Sequence, residues 1–222
     1  MDLKQITASL QKFSGADLTT TLARIEAELK GVTANDCATV LSTVGAERQA
    51  LSAAAALKRI AGQVNVAIHA LGILLCLPHI LELGEVVEYV SLGAGNTGKD
   101  FDLETNYRIA EFKFIRWRGG PESIRQNSIF VDFFLLAESG STKRKYLYVL
   151  DTKFPLKFVN AGRALSSVLS KDQRVRDQFH AKFGDQFQKV RDYFLTRRDK
   201  VTVADVSAWV PELISDEVEK NL

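Results

Sequence analysis

Asp102, Glu111 and Lys113 are the residues whose types and spacing best suit chemistry. In a β-strand, residues two apart share a face, so Glu111 and Lys113 would project to one side while Phe112 and Phe114 project to the other. Carboxylate oxygens are the hard ligands that Mg²⁺ or Mn²⁺ takes in proteins, and such an ion can polarise a phosphoryl group. A lysine on the same face can orient or help to activate an attacking water. These residues therefore predict a metal-dependent site for phosphodiester hydrolysis.

The geometry of this site depends on a tight β-hairpin between the two acidic positions. Alternating apolar and charged residues on both sides of Asn106 and Tyr107 predict two short strands joined by a two-residue loop. Asn tolerates the positive φ that such loops need. Pairing across this loop would set Asp102 directly opposite Glu111, with Cβ atoms roughly 5 Å apart. Two carboxylates at that distance repel each other unless a cation lies between them, which predicts a divalent ion at this point of the hairpin.

Apolar periodicity places this hairpin inside a mixed α/β core. It predicts an N-terminal helical segment over residues 1–62, the core over residues 63–160 and C-terminal helices packed on the core over residues 161–222, with a weak helical pattern from Val203 to Trp209. The elements expected in the core are a helix over 63–83 with a kink or break at Pro78, strands over 85–92, 101–105 and 108–115, a helix from Pro121 to about Glu138, and a strand over 146–150.

Two short runs in this core carry a resemblance to a known family. Residues 101–104 (FDLE) and 109–113 (IAEFK) resemble the PD-(D/E)XK, or restriction-endonuclease-like, nuclease superfamily. Its core has the order αβββαβ and a mixed sheet, with a metal-binding Asp on the second strand and (D/E)-x-K on the third. Residues 63–152 follow that order. Phe101 stands where the superfamily has Pro, a departure that the superfamily often tolerates.

The resemblance implies a function as well as a fold. By it, Asp102 and Glu111 bind Mg²⁺ or Mn²⁺ with help from the Phe112 carbonyl, and Lys113 is the catalytic lysine. The protein would then be a Mg²⁺-dependent deoxyribonuclease of the endonuclease type, with DNA as its substrate. The alternative is a protein on the same fold that binds nucleic acid or a partner without cutting, which the helix-rich flanks favour. The N-terminal helices could also form a homodimer.

Basic and amide side chains that follow the catalytic strand are candidate nucleic-acid contacts. Arg116, Arg118 and Arg125 suit phosphate binding, because a guanidinium pairs with phosphate through two parallel hydrogen bonds. Gln126, with Phe130 four residues on, resembles the Gln-x-x-x-Tyr element of RecB-type nucleases. The alternative for all of them is an ordinary surface role at the start of a helix.

Four further polar residues are candidates to complete the site. Asn65 and His69 are four apart on a predicted helix and so share a face, where a buried, hydrogen-bonded pair is the alternative to a role in the site. Glu85 and Glu88, on the first predicted strand, are the other two candidates.

Competing motifs favour other sites or functions. The run Asp151-Thr152-Lys153 is also D-x-K at a strand end, but it would need an acidic strand just before it. Residues 93–98 match GxGxxG after a strand, as in a cofactor-binding transferase. That motif needs a helix next, and the period-two alternation that follows favours a turn between strands instead. The basic run 143–145 fits a DNA backbone contact or a solubilising loop equally well.

Composition sets the remaining expectations. A net charge of +2 indicates no partner by itself, and 46% hydrophobic residues are enough for a real core, which excludes a disordered chain. Cys37 and Cys76 stand far apart and outside any metal-spaced motif, which is typical of a reducing compartment. The most apolar stretch, 70–81, is shorter than the roughly 18 residues of a membrane span. A cytoplasmic protein without a signal peptide or membrane association is expected.

Overall fold

The computed structural model describes residues 2–15, 17–44, 46–93, 101–119 and 122–214. It divides into two compact units, Met1–Asn65 and Val66–Leu222. The GxGxxG run lies outside the described residues from Ala94 onward, and so does Pro121.

The first unit consists of helices, as residues 1–62 predict. Helix α1 begins with a capping box, in which the Asp2 carboxylate accepts a hydrogen bond from the Gln5 N–H and the Gln5 side chain accepts one from the Asp2 N–H. Asp17 caps α2 in a similar way through the N–H of Thr20. The helices are α1 (Leu3–Ser14), α2 (Leu18–Glu28), α3 (Ala34–Thr43) and the first part of α4 (Arg48–Ile80).

Helix α4 is one continuous helix of 33 residues and runs through the predicted boundary at residue 62. Pro78 lies in its last turn without ending it at once. The helix is long and apolar enough to cross a membrane by length and composition alone, with a mean hydropathy of 1.9 over its most apolar window. Since one such helix is a weak indication of a membrane span, the expectation of a protein without membrane association stays a prediction.

The second unit is a mixed α/β structure built on one sheet, which confirms the predicted α/β class and mixed sheet. Its strands are β1 (Val87–Val90), β2 (Leu103–Thr105), β3 (Arg108–Lys113), β4 (Arg144–Val149) and β5 (Thr202–Asp205), in the order β1-β2-β3-β4-β5. The β1–β2 and β2–β3 pairs are antiparallel, and the β3–β4 and β4–β5 pairs are parallel. Its further helices are α5 (Ser123–Glu138), α6 (Lys153–Val159), α7 (Leu165–Leu169), α8 (Gln173–Phe183) and α9 (Val190–Arg197).

Strand β5 corrects the prediction for the C-terminal segment. The pattern from Val203 to Trp209 is weakly helical, but the structure forms a strand over Thr202–Asp205 and then a short 3₁₀ turn over Ser207–Trp209. The strand pairs in parallel with β4, more than fifty positions earlier in the sequence. A four-residue strand has too few positions to show a period-two pattern, and the distant pairing that stabilises it leaves no local signal.

Alternation along β3 separates two hydrophobic cores. Ile109 belongs to the core that contains the buried face of α5, whereas Ala110 and Phe112 belong to the core that contains Ile73 and Cys76 of α4. Residues two apart share a face, so Glu111 and Lys113 lie on the same side of the sheet as Ile109 and α5. The predicted division of β3 into a charged face and an aromatic face is confirmed.

The β2–β3 hairpin has the predicted register. Glu104 lies opposite Ile109 and Leu103 lies opposite Ala110. One step further along the same register places Asp102, the residue before β2, opposite Glu111.

The Thr105 side chain holds the loop of this hairpin, in place of the positive φ that the sequence predicts. Asn106 and Tyr107 form the two-residue connection, but neither has positive φ, since Asp151 is the one non-glycine residue in the described ranges that does. The Thr105 hydroxyl instead accepts hydrogen bonds from the N–H groups of Tyr107 and Arg108, at 3.0 and 2.9 Å.

Glu138, at the end of α5, gives a first prediction about stability. Its carboxylate accepts hydrogen bonds from Tyr193 and Arg197 and pairs with Lys182 at 2.7 Å. Burial opposes its ionisation, but these contacts outweigh burial and lower the pKa of Glu138 from 4.5 to about 2. Because the folded-state pKa is depressed, the stabilisation is present above pH 4.5 and is lost as the pH falls toward about 2.

Glu138→Gln should therefore lower the free energy of unfolding by about 2 kcal/mol near neutral pH, allowing for solvent screening, and the difference from wild type should shrink as the pH falls below about 4.5. Urea denaturation at several pH values measures this. Glu88→Gln is the control, because the exposed Glu88–Lys143 pair should contribute less than about 1 kcal/mol. A Glu138→Gln difference that stayed constant with pH would contradict the assignment.

Candidate active site

The site is built around Asp102, which stands just before β2. Its Oδ2 accepts a hydrogen bond from the Phe112 N–H at 3.0 Å, and its Oδ1 lies 3.3 Å from Nε2 of His69 on α4. The hairpin register sets Asp102 opposite Glu111, and the nearby charge of Asp102 helps to raise the pKa of Glu111. The predicted convergence of the two acidic residues across the hairpin is confirmed, and His69 joins them from the neighbouring helix.

Lys113 completes the predicted set on the same face of the sheet. Its Nζ lies 3.6 Å from Oε2 of Glu111 and 2.9 Å from Oδ2 of Asp132 on α5. The ammonium group thus links strand β3 to the helix that packs over it. Asp102, Glu111, Asp132 and Lys113 are called the acidic cluster below.

Asp132 is the member of this cluster that sequence reasoning missed. It lies on the buried face of α5, where the Ser128 hydroxyl one turn earlier donates to its Oδ2 at 3.4 Å. Its signal was present in the sequence, as the one acidic residue inside the run IFVDFFLLA. A charge on the buried face of an apolar helix requires a partner, and here that partner is Lys113.

The charges of the cluster do not balance. Burial, followed by the nearby charges of Asp132 and Asp102, raises the pKa of Glu111 from 4.5 to about 9. Burial also raises the pKa of Asp132, although Lys113 opposes the shift. Three carboxyl groups share one ammonium group, so at neutral pH one of the carboxyl groups keeps its proton. A second cation could bind in place of that proton.

Asp102 and Lys113 are held in their charged forms. Burial opposes ionisation of Asp102, but hydrogen bonds from His69 and from the Phe112 N–H outweigh it and lower the pKa of this carboxyl group. Burial likewise opposes the charge on Lys113, but the carboxylates of Asp132 and Glu111 outweigh it and raise the lysine pKa. The cluster therefore contains one firmly ionised carboxylate beside one firmly protonated amine.

The cluster is partly open to solvent. The exposed fractions of the side chains are 27% for Lys113, 13% for Glu111, 12% for Asp132 and 16% for Asp102. A phosphate could approach from this opening, while the buried remainder keeps the local dielectric constant low and strengthens charge interactions.

The donor set fits a hard divalent cation. Asp102 and Glu111 offer carboxylate oxygens, and the excess negative charge that holds a proton on Glu111 would be relieved by a cation. The N–H and C=O of a strand residue point to the same side, so the Phe112 carbonyl faces the side from which its N–H reaches Asp102. Within the described ranges, no group of three or more His, Cys, Asp and Glu side chains is arranged as a metal site on its own.

Comparisons with known proteins add no family. No family model matches the chain, and neither the curated proteins nor the solved structures contain a match. The resemblance to PD-(D/E)XK nucleases therefore depends on the residues and the order of elements alone.

The other candidates for completing the site lie elsewhere. Asn65 is exposed, so the alternative of a buried pair with His69 is wrong. Glu85 is bound by the buried guanidinium of Arg108 at 2.5 Å, and Glu88 pairs with Lys143 at 2.6 Å. Both glutamates are occupied by ion pairs of the sheet and do not join the acidic cluster.

The residues predicted to contact nucleic acid have mixed environments. Arg116 is half-buried and Arg118 is exposed, and each has an interaction within the protein. Arg125 pairs with Glu122 at 2.7 Å and also donates to the Arg116 carbonyl. Gln126 is buried, which excludes an ordinary surface role, and its Oε1 has no hydrogen-bond partner among the described residues. Their contacts with nucleic acid stay a prediction.

The competing D-x-K run has a local structural role. Asp151 adopts φ 61° and its Oδ1 accepts a hydrogen bond from the Lys153 N–H at 2.8 Å, at the start of α6. The Lys153 ammonium lies 5.4 Å from the centre of the Phe154 ring. This motif would need an acidic strand immediately before β4. Helix α5 occupies that place instead.

The basic side chains of residues 143–145, at the start of β4, also have partners within the protein. Lys143 pairs with Glu104 at 2.9 Å, and Arg144 pairs with Glu82 at 2.7 Å. Lys145 donates to the Ser139 carbonyl. These contacts give the run a structural role at the start of β4.

Proposed function

We propose that this protein is a metal-dependent deoxyribonuclease of the PD-(D/E)XK type. The observation that carries the proposal is the convergence of Asp102, Glu111 and Lys113 on one face of the β2–β3 hairpin, where carboxyl groups outnumber the single ammonium group. A structural hairpin has no need of two carboxyl groups in contact, because each one raises the free energy of ionising the other.

The order of elements supports the same proposal. From α4 onward the chain runs α4-β1-β2-β3-α5-β4, and the hairpin that carries the cluster is the second and third of those strands. This order agrees with the αβββαβ order that the resemblance implies. Asp102 directly precedes β2 rather than lying on it, and the Glu-x-Lys run ends β3, which supports the proposal.

The residues of the cluster have distinct roles in this proposal. Asp102 and Glu111, with the Phe112 carbonyl, would hold Mg²⁺, which supplies a positive charge that polarises the phosphoryl group. Lys113 stands beside them, where its ammonium can orient the attacking water and offset the charge that develops on phosphate.

Asp132 and His69 act as positioning residues. Asp132 holds the Lys113 ammonium at 2.9 Å and thereby fixes its direction. His69 contacts Asp102 Oδ1 while the Phe112 N–H contacts Oδ2, so the orientation of this carboxylate is fixed from both sides. Such supporting contacts set the orientation of groups that bind a metal.

The test is a cleavage assay on supercoiled plasmid and linear DNA with Mg²⁺ or Mn²⁺, together with calorimetry of metal binding. We expect nicking or cutting with either metal, its loss in EDTA, and a heat of metal binding that disappears in Asp102→Ala. Cleavage that survives both EDTA and Asp102→Ala would remove the proposal. Tight DNA binding without a metal-dependent heat signal would favour the non-cutting alternative.

A further inference from the structure

A cavity of about 130 Å³ lies directly beside the acidic cluster. It is open to solvent and is lined by the segment that follows β3, the first turns of α5 and the junction between β4 and α6. Lys113 and Ser128, which both contact Asp132, belong to its wall. The cavity and the acidic cluster are therefore parts of one continuous surface.

The position of the cavity is one where α/β proteins bind ligands. It lies at the carboxyl ends of the parallel strands β3 and β4, since Lys113 ends β3 and Val149 ends β4. In open α/β sheets, ligands bind in the crevice outside the carboxyl ends of the parallel strands. A substrate whose phosphate reached Lys113 would extend into or past this cavity.

The chemistry of the wall favours a flat ring over a charged group. Most of the lining is apolar, and Ile115 and Ile124 are large apolar side chains left 63% and 79% exposed. Trp117 also lines the cavity, and its indole Nε1 is buried without a hydrogen-bond partner among the described residues. Arg125 adds a cationic group to the same wall. An apolar slot directly beside the Lys113 ammonium suits a nucleobase next to a phosphate.

We propose that this cavity receives one unstacked base of the DNA strand that is cut, next to the scissile phosphate. An apolar cavity of about 150 Å³ holds a benzene ring, so a volume of about 130 Å³ suits a single small ring. Ile115 and Ile124 stand as apolar wedges of the kind that proteins insert between neighbouring bases. This inference rests on the proposed nuclease function and adds to it a contact that selects the position of the cut.

The experiment measures coupling between one side chain and one base. Duplex oligonucleotides that each lack the base of a single nucleotide around the mapped cut are bound with Ca²⁺ in place of Mg²⁺, to wild type and to Ile124→Ala. We expect Ile124→Ala to weaken binding of intact DNA about tenfold, within the range for base stacking on a side chain, but to have no effect on DNA that lacks the base at one position. Ile115→Ala should show the same dependence at the same position.

The control is Leu195→Ala, because Leu195 is also a large exposed apolar residue but lies on α9. It should leave the binding of every oligonucleotide unchanged. If wild type cuts DNA while Ile124→Ala weakens binding equally at every position, or at none, the cavity proposal falls and the nuclease proposal stands. If wild type neither binds nor cuts DNA, both fall.

Discussion

Asp102→Ala will reduce the rate of DNA cleavage about a thousandfold or more. Asp102 is the one carboxyl group of the acidic cluster whose pKa is lowered, so it is the ionised ligand on which binding of a cation depends most. Its removal also leaves the Phe112 N–H and His69 without their shared partner. Losses of this size follow the removal of a group that stabilises charge in a transition state. Single-turnover cleavage of linear DNA measures the effect.

Glu104→Gln is the matched control for this variant. Glu104 lies two residues further along the same hairpin, and the substitution also removes a carboxylate, but its partner is Lys143 rather than the acidic cluster. Its cleavage rate should stay within about twofold of wild type, because this half-buried ion pair lies outside the acidic cluster. Equal losses in Asp102→Ala and Glu104→Gln would show that the hairpin needs its charges for folding and not for cleavage.

Lys113→Met will abolish cleavage to a similar extent and will also destabilise the metal-free protein. Without the ammonium, three carboxyl groups share a partly buried space with no counter-charge inside the cluster. We expect the free energy of unfolding to fall by about 3 kcal/mol, the low end for breaking a buried ion pair, because burial raises the pKa of both Glu111 and Asp132. Methionine retains most of the apolar stem of lysine, so the loss of stability measures the effect of removing the charge.

Mg²⁺ should restore the stability of Lys113→Met but not its cleavage activity. A divalent ion should raise the unfolding temperature of Lys113→Met more than that of wild type, since it replaces the missing positive charge. Cleavage should not return, because the group that orients the water is absent. Lys153→Met is the control, and a loss of cleavage in this variant alone would move the catalytic lysine to the competing D-x-K run.

The hairpin could be predicted from the sequence because its signal is local. Apolar and charged residues alternate on both sides of Asn106 and Tyr107, and a shift of one position would turn Phe112 out of the core. That constraint fixes the register, and the register alone brings Asp102 to Glu111. The predicted positive φ in the turn is wrong, because the Thr105 hydroxyl holds the loop by accepting hydrogen bonds from the N–H groups of Tyr107 and Arg108.

Contacts between distant elements could not be predicted in the same way. Nothing near Glu85 in sequence shows that it pairs with Arg108, twenty-three positions later, rather than with a metal. Nothing near Thr202 shows that it extends the sheet beside β4. Asp132 could be predicted only in part. Its charge on an apolar helix face indicates a buried partner, but only the packing of α5 on β3 identifies that partner as Lys113.

The acidic cluster takes all of its members from one stretch of the chain, Asp102 to Asp132. Bringing residues together across such short sequence separations loses little loop-closure entropy, and the entropy cost grows only slowly with each added residue. The C-terminal helices still bear on the cluster, because Tyr193 of α9 and Phe179 of α8 pack against Phe130 and Phe134 of α5, the helix that carries Asp132. Sequence changes in those distant helices would therefore reach the acidic cluster through the placement of α5.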